Sequence, residues 1–484
     1  GVSAPVEVEY TSLWVQDTIA MGNWTFNAGL RYDLQDGVNF AGTTGPSAAP
    51  DAFPSVTSTS AVDGGFEWED ITPRLGVTYA LGAERDTLLR ASFSQFPEAL
   101  GVGDVMHLNP MSPDGGGAYA YFLFIDGDGD NLFDDGEFYT FLFGRGFDGQ
   151  NPTSNLNTTD PGLDAEMTSE LILGVEHSFL PEFVVGVNYT YRKIEDIKEF
   201  RDYVRAPGSS ARGRIVTGCA DPYSAATLAS GVCGDYVFDT FVNGRVPLPD
   251  GTPAVATRWA LNPGLETSGW SHLTNGSRER DYNGVAVTFN KRLANRWALR
   301  GFFNWGESEW DVPTSYHLTA DPNDSQLGSD NDGALFMERS SGSGRGDIYL
   351  QSTWQWNLTG IYQIAPDRPW GFNVSGNLYG REGYPVPYDT RSTAADGIAR
   401  NISVVGADLD RFRTDDVTTV DLRAEKTFAA TSNVNLTFSI DLFNALNEAY
   451  ILAREPTLTG GTADNVQDLL SARIWKLGVR VSWK

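Results

Sequence analysis

The sequence predicts an all-β fold, a transmembrane antiparallel β-barrel with long extracellular loops and short periplasmic turns. Apolar and polar residues alternate in one segment after another, which is expected where one strand face meets lipid and the other a wet lumen. Tight turns alternate with long polar stretches along the chain. No apolar run approaches the roughly 20 residues that a spanning helix needs. We therefore expect strands, not helices, to cross the membrane.

The alternation is clearest at the end of the chain. One side of this segment carries Trp475, Leu477, Val479, Val481 and Trp483. The other side carries Lys476, Gly478, Arg480, Ser482 and Lys484. A half-buried strand of a soluble sandwich would show the same pattern, so a single segment does not decide between the two folds.

Repetition of the pattern favours the membrane fold. Apolar residues also alternate with polar ones at residues 420–425 and 434–442, and further strands are predicted near residues 171–175, 185–191, 354–362 and 372–378. Each predicted strand has room for the roughly 9 to 11 residues that cross a bilayer at a tilt. The charged residues of these segments are expected to line the lumen: Asp421, Arg423, Glu425, Lys476 and Arg480.

Connections of two lengths alternate along the chain. Tight turns are predicted at residues 21–23, 82–85, 180–182, 294–295, 366–369 and 430–432. Long polar stretches lie at residues 35–66, 98–164, 198–279, 307–349, 383–414 and 448–467. Short periplasmic turns and long extracellular loops are typical of outer-membrane barrels. A soluble domain rarely carries six such loops.

The number of strands has a consequence for the whole protein. Six hairpins and one terminal strand make about 13 spanning strands, whereas bacterial single-chain barrels use an even number. We therefore treat residues 1–484 as part of a barrel and expect an odd number of strands before Gly1. Residues 1–5 do not read as a signal peptide, since they have neither a basic head nor an apolar run.

Charge limits the partners. The formal net charge of −28 argues against nucleic acid and against direct binding of anionic lipid, because phosphate recognition needs a basic face. The predicted fold places the chain among outer-membrane lipid and lipopolysaccharide in a Gram-negative bacterium. Divalent cations are compatible with loops this acidic.

A calcium site is predicted in the loop at residues 98–164. The stretch DGDGDNLFDDGE at residues 126–137 has the oxygen-ligand spacing of an EF-hand loop. The expected ligands are Asp126, Asp128, Asp130, the Leu132 carbonyl, Asp134 and Glu137. Aromatic segments flank it in place of helices, which predicts a calcium-clamped extracellular hairpin. The alternative is a solvated acidic turn.

A disulfide is predicted in the loop at residues 198–279. Cys219 and Cys233 lie close together in a segment rich in glycine and serine, which suits one local disulfide in an oxidising compartment better than a metal site. Two unpaired thiols are the alternative.

Tryptophans gather near the predicted strand ends. They are Trp14, Trp24, Trp297, Trp305, Trp310, Trp370, Trp475 and Trp483. Girdles at the two membrane interfaces explain them, because an amphipathic ring prefers the headgroup zone. A sugar-binding platform is the rival interpretation. Trp475 and Trp483 mark the terminal strand, where barrel assembly is expected to read Trp483, the aromatic residue before Lys484.

Catalysis is not indicated. The four histidines are isolated, and none has the spacing of a metal ligand pair. The sequence has no nucleophile elbow, so a hydrolase would need a triad assembled from distant positions. We expect the chain not to be an enzyme.

Several motifs resemble the TonB-dependent outer-membrane transporters, in particular their Oar-like branch. They read LWVQD at 13–17, NAGLRYD at 27–33, TPRLGVTY at 72–79, DYNGV at 281–285, LTGIY at 358–362 and DLFNALN at 441–447. The resemblance implies a barrel of 22 strands filled by an N-terminal plug that contacts TonB. This chain would supply about the last 13 strands, and the plug would lie before Gly1.

The resemblance also implies a function. The expected activity is TonB-dependent uptake of a small solute or peptide across the outer membrane. A passive porin or adhesive barrel without energy coupling is the alternative. Which substrate is carried does not follow from the sequence.

Overall fold

The structure is a computed structural model of the chain. It describes residues 6–43, 57–58, 62–109, 119–127, 129, 139–145, 156–209, 211–323, 335–337, 347–349, 352–386, 388–393, 399–404 and 411–483.

Thirteen strands form one antiparallel sheet, in which each strand pairs with the next along the chain. In order, β1 to β13 are Val6–Met21, Trp24–Asn39, Val62–Leu81, Thr87–Pro97, Met167–Leu180, Phe183–Glu195, Glu279–Ala294, Trp297–Asp311, Trp354–Ile364, Phe372–Arg381, Val417–Ala429, Val434–Phe443 and Ile474–Trp483. The all-β prediction and the predicted strand number are confirmed. In the described sheet, β1 and β13 are the edge strands.

The six predicted tight turns join the strands at one end of the sheet, here called the short-turn end. Ladders run up to these turns, as in the pairing of Met21 with Trp24 and of Ala294 with Trp297. Gly22 has φ +61°, which a glycine adopts without a Cβ clash. The six long connections leave from the opposite end, the long-loop end.

Polarity across the sheet is inverted relative to a soluble protein. On β12 the polar Thr437, Ser439 and Asp441 are less than 9% exposed, whereas the apolar Phe438 and Ile440 are 47% and 49% exposed. Because successive side chains of a strand point to opposite faces, these are two distinct surfaces. We call the face of Asp441 the inner face and that of Ile440 the outer face.

The long connections contain secondary structure of their own, where the sequence predicted polar loops with at most one hairpin. Small antiparallel pairings join strands beyond the main sheet, and Thr158–Thr159 adds a short parallel pair to Glu266–Asn275. The strands are Gly42–Thr43, Thr57–Ser58, Tyr119–Phe124, Tyr139–Arg145, Thr158–Thr159, Lys198–Arg205, Arg214–Ile215, Val232–Cys233, Tyr236–Asn243, Val255–Leu261, Glu266–Asn275, Leu335–Met337, Asp347–Tyr349, Asp389–Thr393, Ala399–Ser403, Ile451–Arg454 and Val466–Leu469.

Three short helices lie in the long connections: α1 (Val102–Met106), α2 (Ala225–Ser230) and α3 (Thr314–His317). Among the described residues, no helix has the length and apolar character needed to span a membrane.

The buried apolar clusters lie at the long-loop end. One cluster centres on Trp68, Leu100 and Val105, and joins α1 to the end of β3. A second surrounds Trp259 and Cys233 in the loop at residues 198–279. The described part of the loop at residues 98–164 therefore packs against the sheet, and the loop at residues 198–279 has a buried cluster of its own.

Candidate functional site on the inner face

Charged side chains of the inner face form ion pairs within a strand and between neighbouring strands. Arg31 on β2 lies 2.7 Å from Asp33, and Arg192 on β6 pairs with Glu170 on β5. Their position on the inner face keeps these charges away from lipid, where Arg or Lys at the bilayer midplane costs about 2 to 4 kcal/mol.

The predicted luminal residues of the last strands share the inner face. Arg423 lies 2.9 Å from Glu425 and 3.1 Å from Asp441. Asp441 in turn is opposite Lys476 in the ladder between β12 and β13. The structure thus brings together side chains whose pairing could not be predicted from the sequence.

Trp14 departs from the predicted girdle. It is opposite Arg31 in the ladder between β1 and β2, which places it on the inner face, with 72% of the residue exposed. Its neighbours Leu13 and Val15 occupy the outer face instead. The girdle interpretation is wrong for Trp14 because the strand's period of two, and not nearness to a strand end, decides which face a ring occupies.

Other tryptophans do occupy the outer face. Trp24 stacks on Phe26 and contacts Tyr79 near a tight turn, and the ammonium of Lys291 lies 4.1 Å from the centre of the Trp297 ring. On the terminal strand Trp475 and Trp483 are 65% and 78% exposed on the outer face. These positions agree with an interfacial belt.

Residues 98–109 fold back onto the inner face at the long-loop end. The Gln35 side chain donates to the Glu98 carbonyl at 2.8 Å and accepts from the Leu100 amide at 2.7 Å. Asn39 donates to the Val105 carbonyl at 2.9 Å. The α1 segment, defined as residues 98–109, is therefore fixed against β2 by buried polar side chains.

Glycines at two inner-face positions allow the α1 segment to pack closely against the sheet. A Cβ at Gly37 would lie 2.3 Å from a Val105 methyl group, and one at Gly64 would lie 2.7 Å from the other methyl. Val105 is fully buried in this contact. Because Gly37 on β2 and Gly64 on β3 have no side chain, they leave the space in which Val105 of α1 packs.

Lys198 links the α1 segment to the next long loop. Its ammonium lies 2.7 Å from Asp104 and 3.0 Å from Glu98, and the side chain is 13% exposed. The same ammonium lies 5.5 Å from the centre of the Trp68 ring. One cation therefore holds two carboxylates of the α1 segment.

A buried polar network extends from the α1 segment into the loop at residues 198–279. Asn157 donates to the His107 carbonyl at 2.9 Å, and the Thr158 hydroxyl lies 2.7 Å from both His272 Nδ1 and the Tyr203 hydroxyl. Burial lowers the pKa of His272, since the charged imidazolium is poorly solvated there. His272 thus acts as a neutral hydrogen-bonding group between loops.

The loop at residues 198–279 contains a disulfide and an ion pair between an exposed arginine and a buried aspartate. The structure joins Cys219 to Cys233, as the sequence predicts. Beside it Asp235 accepts hydrogen bonds from Arg214 at 2.5 and 2.6 Å and from the Thr217 amide at 2.7 Å. The hydrogen bond from Arg214 holds the pKa of Asp235 below its usual range.

A cavity of about 390 Å³ opens on the inner face at the long-loop end of β10 to β13. Its wall includes Arg381 on β10, Asp421 on β11, Phe443 on β12 and Ile474 on β13, and Leu452 and Leu470 of the last long loop complete it. Cavities of about 300 to 1,000 Å³ hold small ligands.

Most of the predicted calcium site lies outside the described residues. Asp126 is described, and its carboxylate accepts from the Gly129 amide at 2.6 Å. The other predicted ligands, Asp128, Asp130, Leu132, Asp134 and Glu137, fall among residues that the structure does not describe. Among the residues that are described, no group of three or more His, Cys, Asp or Glu could hold a metal ion.

Sequence reasoning missed Gln35, Asn39 and Lys198. The alternation would have placed Gln35 and Asn39 on the inner face, since they share the parity of Asp33 on β2. Their partners in the α1 segment are more than 60 residues away and leave no local signal.

Residues 3–463 match the family model described as the outer membrane beta barrel domain. No curated protein matches this sequence. Among solved structures, the chain is similar to the siderophore receptor PiuA from Acinetobacter baumannii, with 12% identity and a TM-score of 0.43 over 99% of this chain and 43% of that one. It is also similar to the outer membrane transporter YddB from Escherichia coli, with 11% identity and a TM-score of 0.44 over 99% of this chain and 54% of that one.

The ferric-catecholate import receptor Fiu from Escherichia coli K12 is a further match, with 10% identity and a TM-score of 0.46 over 100% of this chain and 45% of Fiu. The chain spans about half the length of these proteins, between 43% and 54%.

Proposed function

Because this chain belongs to the outer membrane β-barrel domain family, we propose that it forms the wall of a receptor that carries a small solute or peptide into the cell. Membership places the protein in the outer membrane of a Gram-negative bacterium. Its outer face meets lipid and lipopolysaccharide, its tight turns are periplasmic and its long loops are extracellular.

The observation that carries the proposal is the polarity of the sheet. An inner face of paired charges beside an outer face of exposed apolar side chains suits a wall between lipid and a wet passage. The folded extracellular caps support a receptor, since binding residues are disproportionately found on loops held by a rigid scaffold.

The proposal includes energy coupling through TonB and an N-terminal plug of the whole protein. The test is uptake of labelled short peptides, sugars and iron chelates by cells that carry or lack the gene, each with and without functional TonB. We expect uptake of at least one class that needs both the gene and TonB. Uptake that needs the gene but not TonB would identify a passive porin. Surface binding without uptake would identify an adhesive barrel.

We further propose that the extracellular hairpin at residues 119–145 binds one structural calcium ion through Asp126, Asp128, Asp130, Leu132, Asp134 and Glu137. Six hard oxygen ligands at this spacing suit calcium. Calorimetric titration of calcium into the chelator-treated protein should give one site that is lost in Asp128→Asn with Glu137→Gln. The matched control is Asp148→Asn in the same loop. Equal binding by both variants would refute the site.

A further inference from the structure

We propose that the cavity at β10 to β13 binds a short zwitterionic peptide with apolar side chains, its carboxylate on Arg381 and its ammonium on Asp421. This inference rests on the proposed uptake function and specifies its substrate class. The argument depends on three features of the cavity: an apolar break in the inner face, two charges not paired with each other, and the distance between them.

Two exposed apolar side chains interrupt the polar inner face at the cavity. Phe443 and Ile474 are directly opposite each other in the ladder between β12 and β13, and they are 41% and 51% exposed. Further toward the short-turn end, the same face of these strands carries the polar pairs of Asp441 with Lys476 and Thr437 with Arg480. Exposed apolar side chains within a polar wall favour an apolar ligand group, since contact removes them from water.

Arg381 is placed to receive an anion. It is 7% exposed, its guanidinium lies 3.7 Å from the centre of the Tyr384 ring, and Nη1 donates to the Glu382 carbonyl at 2.9 Å. Glu382 itself pairs with Arg413 at 3.2 Å. Among the described residues, no carboxylate forms an ion pair with Arg381. A guanidinium placed over an aromatic ring keeps its remaining N–H donors available to a carboxylate.

Asp421 is placed to receive a cation. One of its carboxylate oxygens accepts from the Asn444 amide at 2.9 Å. No Lys or Arg of the described chain pairs with it, because the nearby Arg423 already lies on Glu425 and Asp441. The carboxylate thus has acceptor capacity left for a ligand ammonium.

The spacing of the two charges selects the length of the ligand. Arg381 is opposite Val417, and Asp421 is four residues further along β11. At roughly 3.3 Å per strand residue, with strands about 4.8 Å apart, the backbone positions of Arg381 and Asp421 are about 14 Å apart. Because both side chains reach into the cavity, a tripeptide, whose extended chain spans about 10 Å, can join them.

The test is calorimetric titration of trileucine into the full natural protein in detergent, which needs no energy coupling. We expect binding, and roughly tenfold weaker binding of both N-acetyl-trileucine and trileucine amide, since each loses one charged hydrogen bond. Asp421→Asn should weaken trileucine about as much as N-acetylation does, with no further loss for the acetylated peptide. Arg381→Gln should weaken trileucine about as much as amidation does, with no further loss for trileucine amide.

The matched control is Arg300→Gln, which removes an inner-face cation of β8 outside the cavity and should leave trileucine affinity unchanged. Equal affinity for free and blocked peptides, or no binding of trileucine, would overturn the proposal even if both cavity variants were unstable. Binding without uptake in cells would contradict the proposed transport function and leave this site standing. Uptake of another substrate class without trileucine binding would overturn this site and leave the proposed transport function standing.

Discussion

The ammonium of Lys198 lies 2.7 Å from the carboxylate of Asp104, and this contact joins two long loops that are nearly a hundred residues apart. Because α1 lies against the inner face through Gly37 and Gly64, Lys198 connects the loop at residues 198–279 to the inner face of the sheet. The position of the α1 segment therefore depends on a charge from another loop.

Replacing Lys198 by methionine should loosen the α1 segment. The change leaves the half-buried carboxylate of Asp104 without its cation; breaking a fully buried pair costs about 3 to 5 kcal/mol, and this pair should cost less. We expect faster proteolytic cleavage within residues 98–109, measured by mass spectrometry of the digest. Lys193→Met is the control, since Lys193 pairs with Glu195 and Glu279 on the outer face. Equal cleavage of both variants would contradict the role given to Lys198.

Gly37→Ala should displace α1 by overpacking. The new methyl group would lie 2.3 Å from Val105, and forced contacts of this kind typically cost about 1 to 3 kcal/mol. We expect increased hydrogen exchange in residues 102–106. Gly29→Ala on the same strand and face is the control, because its nearest neighbour would be at 3.4 Å. Adding Val105→Ala to Gly37→Ala should restore protection, and failure to do so would mean that the clash is elsewhere.

Acid should weaken the cap at residues 198–279. The hydrogen bond from Arg214 lowers the pKa of Asp235, so the folded state binds the Asp235 proton less readily than the unfolded chain does. The resulting stability is present above the ordinary carboxyl pKa of about 4 and is lost as the pH falls through the depressed value. Hydrogen exchange in Tyr236–Asn243, corrected for its intrinsic pH dependence, should show this loss.

Asp235→Asn separates this effect from general acid unfolding. The variant should be less protected than the natural protein at pH 7 and should show a smaller loss on acidification. An unchanged loss would assign the pH dependence to another group.

The sequence was sufficient to predict the sheet because lipid imposes a period of two on every strand. Residues such as Phe438 and Ile440 carry this period without reference to any distant partner. Turn positions followed from the same pattern, since a tight turn interrupts it. The number of strands could therefore be counted from local sequence alone.

The site was predicted only in part, because its contacts are long-range. Parity places Arg423 and Asp441 inside, but only the register of β11 against β12 brings them to 3.1 Å. Trp14 was predicted wrongly for a different reason: its nearness to a predicted strand end was taken as evidence for the outer face. The docking of Val105 on Gly37 depends on loop folding that the alternating pattern does not encode.

The disulfide should stabilise its own loop and leave the sheet unchanged. Cys219 and Cys233 close a loop with a sequence separation of 14, and for a loop near this length the chain-entropy model gives about 3 kcal/mol. Replacing both cysteines by serine should increase hydrogen exchange around the fully buried Trp259, which packs in the same cluster. The heat-modifiable mobility of the barrel on gel electrophoresis should not change. A changed mobility of the unheated protein would mean that the loop stabilises the whole sheet.

The outer face of β13 provides the most direct test of the membrane fold. Leu477 is 78% exposed there and faces lipid, so Leu477→Arg should cost about 2 to 4 kcal/mol near midplane and reduce the amount of assembled barrel. Ser482→Arg is the control on the same strand, because Ser482 is opposite Asn435 on the inner face, where water solvates the charge. The measurement is the folded fraction in outer-membrane extracts. If both variants assembled equally well, the two faces of β13 would not differ in environment, and the assignment of lipid to the apolar side would be wrong.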